Sequence, residues 1–216
     1  SEYGSQRLSA DNLDKLAKYF NQINQSGRRL LLLINDLLDL AKLEAKKMEY
    51  HFERADLFNL TKQTVNDINP KKSKDIVNAV IIEKAEFSCV VTLDSMRIGQ
   101  VMYNLLSNAH KFTPEHGTIR VTFEQTTLNN NDDIALPALS IKITDSGLGI
   151  PEDELDSVFD KFIQSSKTRT KAGGTGLGLA ISQEIIAGHH GIIYAQNNPE
   201  GGASFTFILP IQPLFN

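Results

Sequence analysis

Three stretches of this chain carry residue types suited to holding a nucleotide, in the order NLLSNAHKF at 104–112, DSGLGIP at 145–151 and GGTGLGL at 173–179. In the first, Asn104, Asn108 and Lys111 are spaced four and three apart, so they share one face of a helix whose opposite face carries Ile98, Val101, Met102, Leu105, Leu106 and Ala109. Such a row offers amide oxygens and a cation to an anion and its counter-ion, although a plain solvated surface has the same pattern. In the second, Asp145 ends the alternating stretch LSIKITD and precedes Gly147 and Gly149. A carboxylate there can accept hydrogen bonds where a bare backbone lets a ligand come close, or it can merely turn the chain after a strand. In the third, Gly173, Gly174, Thr175, Gly176, Leu177 and Gly178 run into Leu179, Ala180, Ile181, Ile185 and Ile186 at helical spacing. Unpaired N–H groups and the positive dipole end at a helix start favour phosphate, and a simple linker rarely leads straight into an amphipathic helix. One glycine string is weak evidence; three such parts in fixed order point to a nucleotide site.

Other nucleotide-binding designs fit worse. No GxxxxGK[ST] string exists, neither glycine run gives GxGxxG after a strand, and the Gly-rich loop, Val-Ala-Ile-Lys and His-Arg-Asp set of protein kinases is missing. A net charge of −4 gives no electrostatic reason to bind nucleic acid or an anionic membrane. The longest apolar run, 30–34, is far shorter than the roughly 18 residues of a membrane span, and the N-terminus does not read as a signal peptide. A single cysteine, Cys89, cannot form an internal disulfide and reads as buried packing. A cytoplasmic setting is expected, with a parent protein that could be anchored in the inner membrane through other segments.

These residues need elements to hold them. Leu13, Leu16, Phe20, Ile23, Leu30, Ile34, Leu37 and Ala41 recur in steps of three and four, with Gly27 the one gap, which predicts a long helix with a bundle seam and a partner helix. Next come a short strand at 49–52, a helix at 56–67, strands at 79–82 and 87–93, and the helix 95–112. Strands at 118–124 and 139–144 flank a stretch that reads as a mobile hairpin loop, and a helix at 175–187 with strands at 192–196 and 203–209 completes the pattern. Mixed strands and helices of this number predict a two-layer α/β (α+β) sandwich, a mixed sheet covered by helices, with the long helix in front of it.

The three boxes resemble those of sensor histidine kinases, within the ATPase superfamily that includes gyrase and the heat-shock chaperones. The resemblance covers nearly the whole chain, because SGRRLLLLINDLLDLAKLEAKKM at 26–48 is similar to the second helix of that family's dimerisation domain. It implies a partial dimerisation region at 1–47 and a catalytic ATP-binding domain at 48–216. It also implies ATP and Mg²⁺ as cofactors, with Asn108 as magnesium ligand, Asn104 beside it, Lys111 toward phosphate, Phe112 beside the nucleotide and Asp145 on the adenine amino group. Gly147, Gly149, Gly174, Thr175, Gly176, Leu177 and Gly178 would line the nucleotide. In VFDKFIQSSKTRTKA, Phe159 and Phe162 resemble the family's phenylalanine box, the polar remainder a lid, and Arg169 a contact to the terminal phosphate.

The family's acceptor string, Ser-His-Glu-Leu-Arg-Thr-Pro-like, does not occur. His51, His110, His116, His189 and His190 read as structural, the last two near a helix C-terminus where imidazolium suits the dipole. The expected function is therefore transfer of the γ-phosphoryl of Mg–ATP to a histidine outside this chain, in a fragment unable to phosphorylate itself. Implied partners are an acceptor-histidine helix or full-length kinase, a response regulator receiver domain in a phosphorelay, and a second copy in a homodimer. The alternatives are a free-standing ATPase of the superfamily and a non-catalytic nucleotide-binding regulatory module.

Overall fold

The computed structural model describes residues 10–45, 47–68, 79–83, 85–129, 134–163 and 175–212. The first element is the long helix α1 (Ala10–Glu44), as the three-four periodicity requires. After it come β1 (Glu53–Asp56), α2 (Leu57–Ile68), β2 (Ala79–Ile82), β3 (Val90–Leu93) and α3 (Ser95–Phe112). The chain continues through β4 (Thr118–Asn129), β5 (Ala135–Asp145), a 3-10 turn (Glu152–Glu154), α4 (Gly178–Gly188), β6 (Ile192–Asn197) and β7 (Ala203–Pro210). No helix among the described residues is long and apolar enough to cross a membrane.

Five strands form a mixed sheet in the order β2-β4-β5-β7-β6, with β2 parallel to β4 and the other neighbours antiparallel, and β1 pairs with β3 in a separate two-stranded sheet. Register places apolar residues in rows: Phe123 lies opposite Ile141, Ile141 opposite Phe207, and Phe207 opposite Ile193, so one row crosses four strands. All four are buried, and each such side chain is worth roughly 1.5–3 kcal/mol against exposure. Onto this layer α3 presses Ile98, Val101, Met102, Leu105, Leu106 and Ala109, all buried, with α2 and α4 packed on either side of it. Its opposite face is left for the polar row.

The ends of α2 and α3 are set by aspartates. Asp56 Oδ1 accepts the Phe58 N–H at 2.9 Å, and Asp94 Oδ1 accepts the Arg97 N–H at 3.0 Å, each satisfying a donor that the first helical turn leaves without a partner. Asp94 is tied further: its Oδ2 accepts the His51 N–H at 2.9 Å, and its own N–H donates to His189 Nε2 at 2.9 Å. His189 Nδ1 meets the Ile185 carbonyl at 2.8 Å, so the ring is a donor at Nδ1, an acceptor at Nε2, and neutral. The imidazolium expected at this helix end is thereby corrected: burial drives the His189 pKa down, opposed by the Ile185 carbonyl and the Asp94 charge.

Several boundaries differ from expectation. Residues 49–52 are not a strand; Tyr50 and Phe52 instead place their rings 5.0 Å from His189, and pairing starts at Glu53 opposite Leu93. The strand expected at 87–93 is confined to Val90–Leu93. The presumed hairpin loop is largely ladder, since β4 and β5 stay paired out to Asn129 opposite Ala135, which a polar outer strand end does not advertise by alternation. The last helix begins at Gly178 rather than 175, because Gly176 adopts φ +69, a left-handed turn that cannot continue a helix.

Candidate functional site

The polar face of α3, the end of β5 and the start of α4 converge on one cavity of about 1020 Å³. Asn104, Asn108, Lys111 and Phe112 reach it from α3, Asp145 and Gly149 from the end of β5 and beyond, and Thr175, Gly176 and Gly178 from the loop before α4. Gly147 and Leu177 do not line it. A Cβ on Gly147 would lie 2.6 Å from the Phe112 carbonyl oxygen, so this glycine lets the β5 loop pass beneath the end of α3. Leu177 is fully buried in the core and its N–H donates to Thr175 Oγ1 at 3.1 Å. Arg169 and Gly174, with Gly173 and most of the expected lid, lie outside the described residues.

At the floor sits Asp145, only 6% exposed. Its Oδ1 accepts two backbone donors, Gly147 N–H at 2.8 Å and Ala203 N–H at 3.3 Å. Among the described residues both bonds fall on Oδ1, leaving Oδ2 with the capacity to accept from a ligand. Burial raises the Asp145 pKa above its ordinary value, and the two N–H donors only partly oppose this. The residue is held from behind as well. Asn198 Nδ2 donates to the Asp145 carbonyl at 3.1 Å, Ser204 donates to Asn198 Oδ1, and a Cβ on Gly202 would collide with the same carbonyl at 2.0 Å. One further bracket closes the turn: the Asn197 amide accepts from Ile150 N–H at 2.8 Å and donates to the Ile150 carbonyl at 2.7 Å.

The other wall joins α3 to α4. Asn104 Nδ2 donates to Ser182 Oγ at 2.9 Å, Ser182 donates to the Gly178 carbonyl at 2.9 Å, and a Cβ at Gly178 would lie 2.4 Å from Asn104 Oδ1. Glycine at 178 is thus what lets the two helices meet at the polar row. Leu177 gives α4 no side-chain cap. Asn108 makes no side-chain hydrogen bond among the described residues, so its amide oxygen is available to a cation. Phe159 is buried against Phe205, whereas Phe162 is exposed at φ +65 and donates its N–H to the Gly176 carbonyl at 2.9 Å.

A fourth wall had no counterpart in the motifs. Helix α1 supplies Asn35, Asp36, Leu38, Asp39 and Lys42 to the cavity. Asp36 Oδ2 accepts from Thr175 Oγ1 at 3.0 Å. Asp39 receives Arg97 Nη1 on both oxygens at 3.2 Å and Gln100 Nε2 at 2.9 Å, while Leu40 is buried against the domain. Burial raises the Asp36 pKa, the Thr175 hydroxyl opposes this, and the Asp39 charge adds to it. The signal was present in INDLLDL, where two acids three residues apart stand off the apolar seam.

Residues 93–213 match the family model described as "Histidine kinase-, DNA gyrase B-, and HSP90-like ATPase", and residues 4–46 match one described as "His Kinase A (phospho-acceptor) domain". The chain is 33% identical over 201 residues to the sensor histidine kinase WalK of Bacillus subtilis (strain 168), covering 93% of this chain and 31% of that protein. Among solved structures it is similar to full-length ShkA in complex with AMPPNP, with a TM-score of 0.70, 26% identity, and coverage of 98% of this chain and 41% of that one. It is also similar to the histidine kinase ThkA in complex with the response regulator protein TrrA, with a TM-score of 0.66, 25% identity, and coverage of 97% and 53%. The chain spans between 13% and 31% of the length of the curated relatives it matches.

Proposed function

The chain belongs to the histidine kinase-, DNA gyrase B- and HSP90-like ATPase family, as a sensor histidine kinase catalytic and dimerisation region, and from that premise we propose that its cavity binds Mg–ATP for transfer of the γ-phosphoryl group to a histidine. The observation that carries this reading is the buried Asp145 carboxylate. With Oδ1 saturated by backbone donors and Oδ2 open, it accepts from a ligand N–H donor, as the 6-amino group of adenine is, whereas guanine presents a carbonyl oxygen at position 6. Gly149 lines the cavity beside this carboxylate, while Gly202 lets the backbone pack against the Asp145 carbonyl from behind. The phosphates extend toward the loop at 174–178 and the uncapped start of α4, where N–H donors and the dipole favour anions.

Residues at the site fit a magnesium ion: Asn108 would hold it through its amide oxygen, with Asn104 alongside, and water and phosphate oxygens would complete the shell. When bound, the ion neutralises charge on the phosphate oxygens. Lys111 lends a further positive charge, and Arg169 is assigned to the terminal phosphate.

None of the five histidines lies on α1, the first being His51, so in this reading the acceptor is a histidine supplied by another helix. His189 is committed through both ring nitrogens and is no candidate. The region 1–47 would serve dimerisation and 48–216 ATP binding. A homodimer and a response regulator receiver domain are the corresponding partners, in line with the phospho-acceptor model and the ThkA–TrrA complex.

Two measurements test the proposal. Titration calorimetry with Mg–ATP should show Asp145→Asn weakened about 10- to 100-fold, the equivalent of one hydrogen bond to a charged group at roughly 1.5–3 kcal/mol. Incubation with γ-labelled ATP should label an added acceptor-helix protein and leave this chain unlabelled. Affinity unmoved by the substitution would remove the adenine assignment, and acid-labile label on this chain alone would remove the acceptor assignment.

A further inference from the structure

We propose that Asp36 makes the docked form of this protein discriminate against a nucleoside triphosphate in favour of the diphosphate, by holding a carboxylate against the loop that receives the terminal phosphate. The inference rests on the nucleotide reading above. Asp36 is tied to the phosphate loop through one neutral group: its Oδ2 accepts from Thr175 Oγ1, which in turn accepts the Leu177 N–H one residue before α4 begins. Its neighbour Asp39 is charge-compensated by Arg97, but Asp36 forms no ion pair among the described residues. The α1 wall therefore brings to the end of the cavity where the anion donors of α4 lie a carboxylate that has no ion pair among the described residues, with Lys42 further along the same wall.

A triphosphate differs from a diphosphate by a further anionic group, placed at that same end. Like charges brought together in a partly buried site repel more strongly than in water. The repulsion is relieved when Asp36 takes a proton or when α1 leaves the domain, and both demands fall more heavily on the triphosphate. By linkage, triphosphate binding then loosens α1 to the same extent that docked α1 weakens the triphosphate. The dock itself is held by Asp39, Arg97, Gln100 and Leu40, none of which need touch the ligand for the effect.

The experiment is calorimetric titration of the whole chain with Mg–ADP and with a non-hydrolysable Mg–ATP analogue, in the wild type, Asp36→Asn and Asp39→Asn. Asparagine at 36 keeps an acceptor for Thr175 and removes only the charge. Expected is a shift of roughly fivefold or more in the affinity ratio toward the triphosphate in Asp36→Asn, within the usual range of coupling between sites. Diphosphate affinity should change less than triphosphate affinity, and the shift should shrink as salt is added. Asp39→Asn, which loosens the dock while leaving Asp36 charged, should shift the ratio in the same direction. If both nucleotides bind and the ratio in Asp36→Asn is unmoved or moves toward the diphosphate, this inference is overturned while the nucleotide site stands. If neither nucleotide binds the wild type, the site reading fails and takes this inference with it.

Discussion

The Asp145 carboxylate sits where ionisation is unfavourable to the fold, and this sets a trade between stability and binding. Its pKa is raised by burial above the ordinary 3.8. The folded state therefore holds the proton more tightly than the unfolded chain does. The contribution to stability is fully present below 3.8 and is lost as pH rises through the raised value. Asp145→Asn should accordingly unfold at a higher temperature than the wild type at neutral pH, by thermal denaturation, even as it loses nucleotide affinity. An unchanged or lower midpoint would show that the two N–H donors already compensate the charge. His189 has the opposite dependence. Its folded pKa is depressed below 6.5, so the stability it supports is complete above 6.5 and is lost as pH falls through that value toward the depressed one. His189→Leu should remove this acid-side slope and, by leaving the buried Asp94 N–H without an acceptor, cost about 1–3 kcal/mol near neutrality in chemical denaturation. Neither property was legible in the sequence. Asp145 was marked as a ligand group by its glycines, but its burial depends on Ala203 of β7 and Gly202 of the turn before it, and His189 is neutral only because Asp94 arrives from 95 residues away.

Elements were legible wherever one face is buried and the other is wet. Helix α3 spans Ser95–Phe112, as expected at about 95–112, because its apolar and polar rows are both complete, and the polar row lines the cavity. Boundaries slipped where pairing, rather than periodicity, decides: β1 begins where Leu93 offers a partner, and the β4–β5 ladder runs on through residues whose alternation is weak. The docking of α1 was illegible for a different reason. Its apolar seam announces a partner helix, whereas the contact with the domain is made on another face, by polar groups together with Leu40 and Leu43. Gly27 offers a test at this scale. It lies in the interior of α1 with nothing within 4 Å of where a Cβ would stand. Gly27→Ala should stabilise the helix by about 0.5–1 kcal/mol, read as a higher melting temperature of the α1 helical signal in circular dichroism.

The whole molecule puts two different tasks on the two sides of α1. At 100° per residue, Asp36, Asp39, Leu40 and Leu43 centre on one direction, and Leu30, Ile34, Leu37 and Ala41 on another roughly 140° away. The first face meets the catalytic domain, with Leu40 buried. The second leaves Leu30 at 58%, Ile34 at 44% and Leu37 at 47% exposure, continuous with Phe20 and Ile23 further along the helix. An apolar stripe of this length in water calls for a cover, and the heptad-like spacing suits a second copy of the same helix in a symmetric pair. Because the two faces are separate, a dimer can form with α1 still docked, so the charge of Asp36 would act on nucleotide within the assembled protein. Light scattering should find a concentration-dependent species of twice the 24.0 kDa chain mass. Ile34→Glu should abolish it, since each large side chain removed from the seam forfeits roughly 1.5–3 kcal/mol and the substitution acts once on each copy. The same variant should keep the wild-type balance between diphosphate and triphosphate binding, because residue 34 lies off the docked face. A monomeric Ile34→Glu with an altered balance would mean instead that docking depends on the dimer, and that the two faces of α1 are not independent.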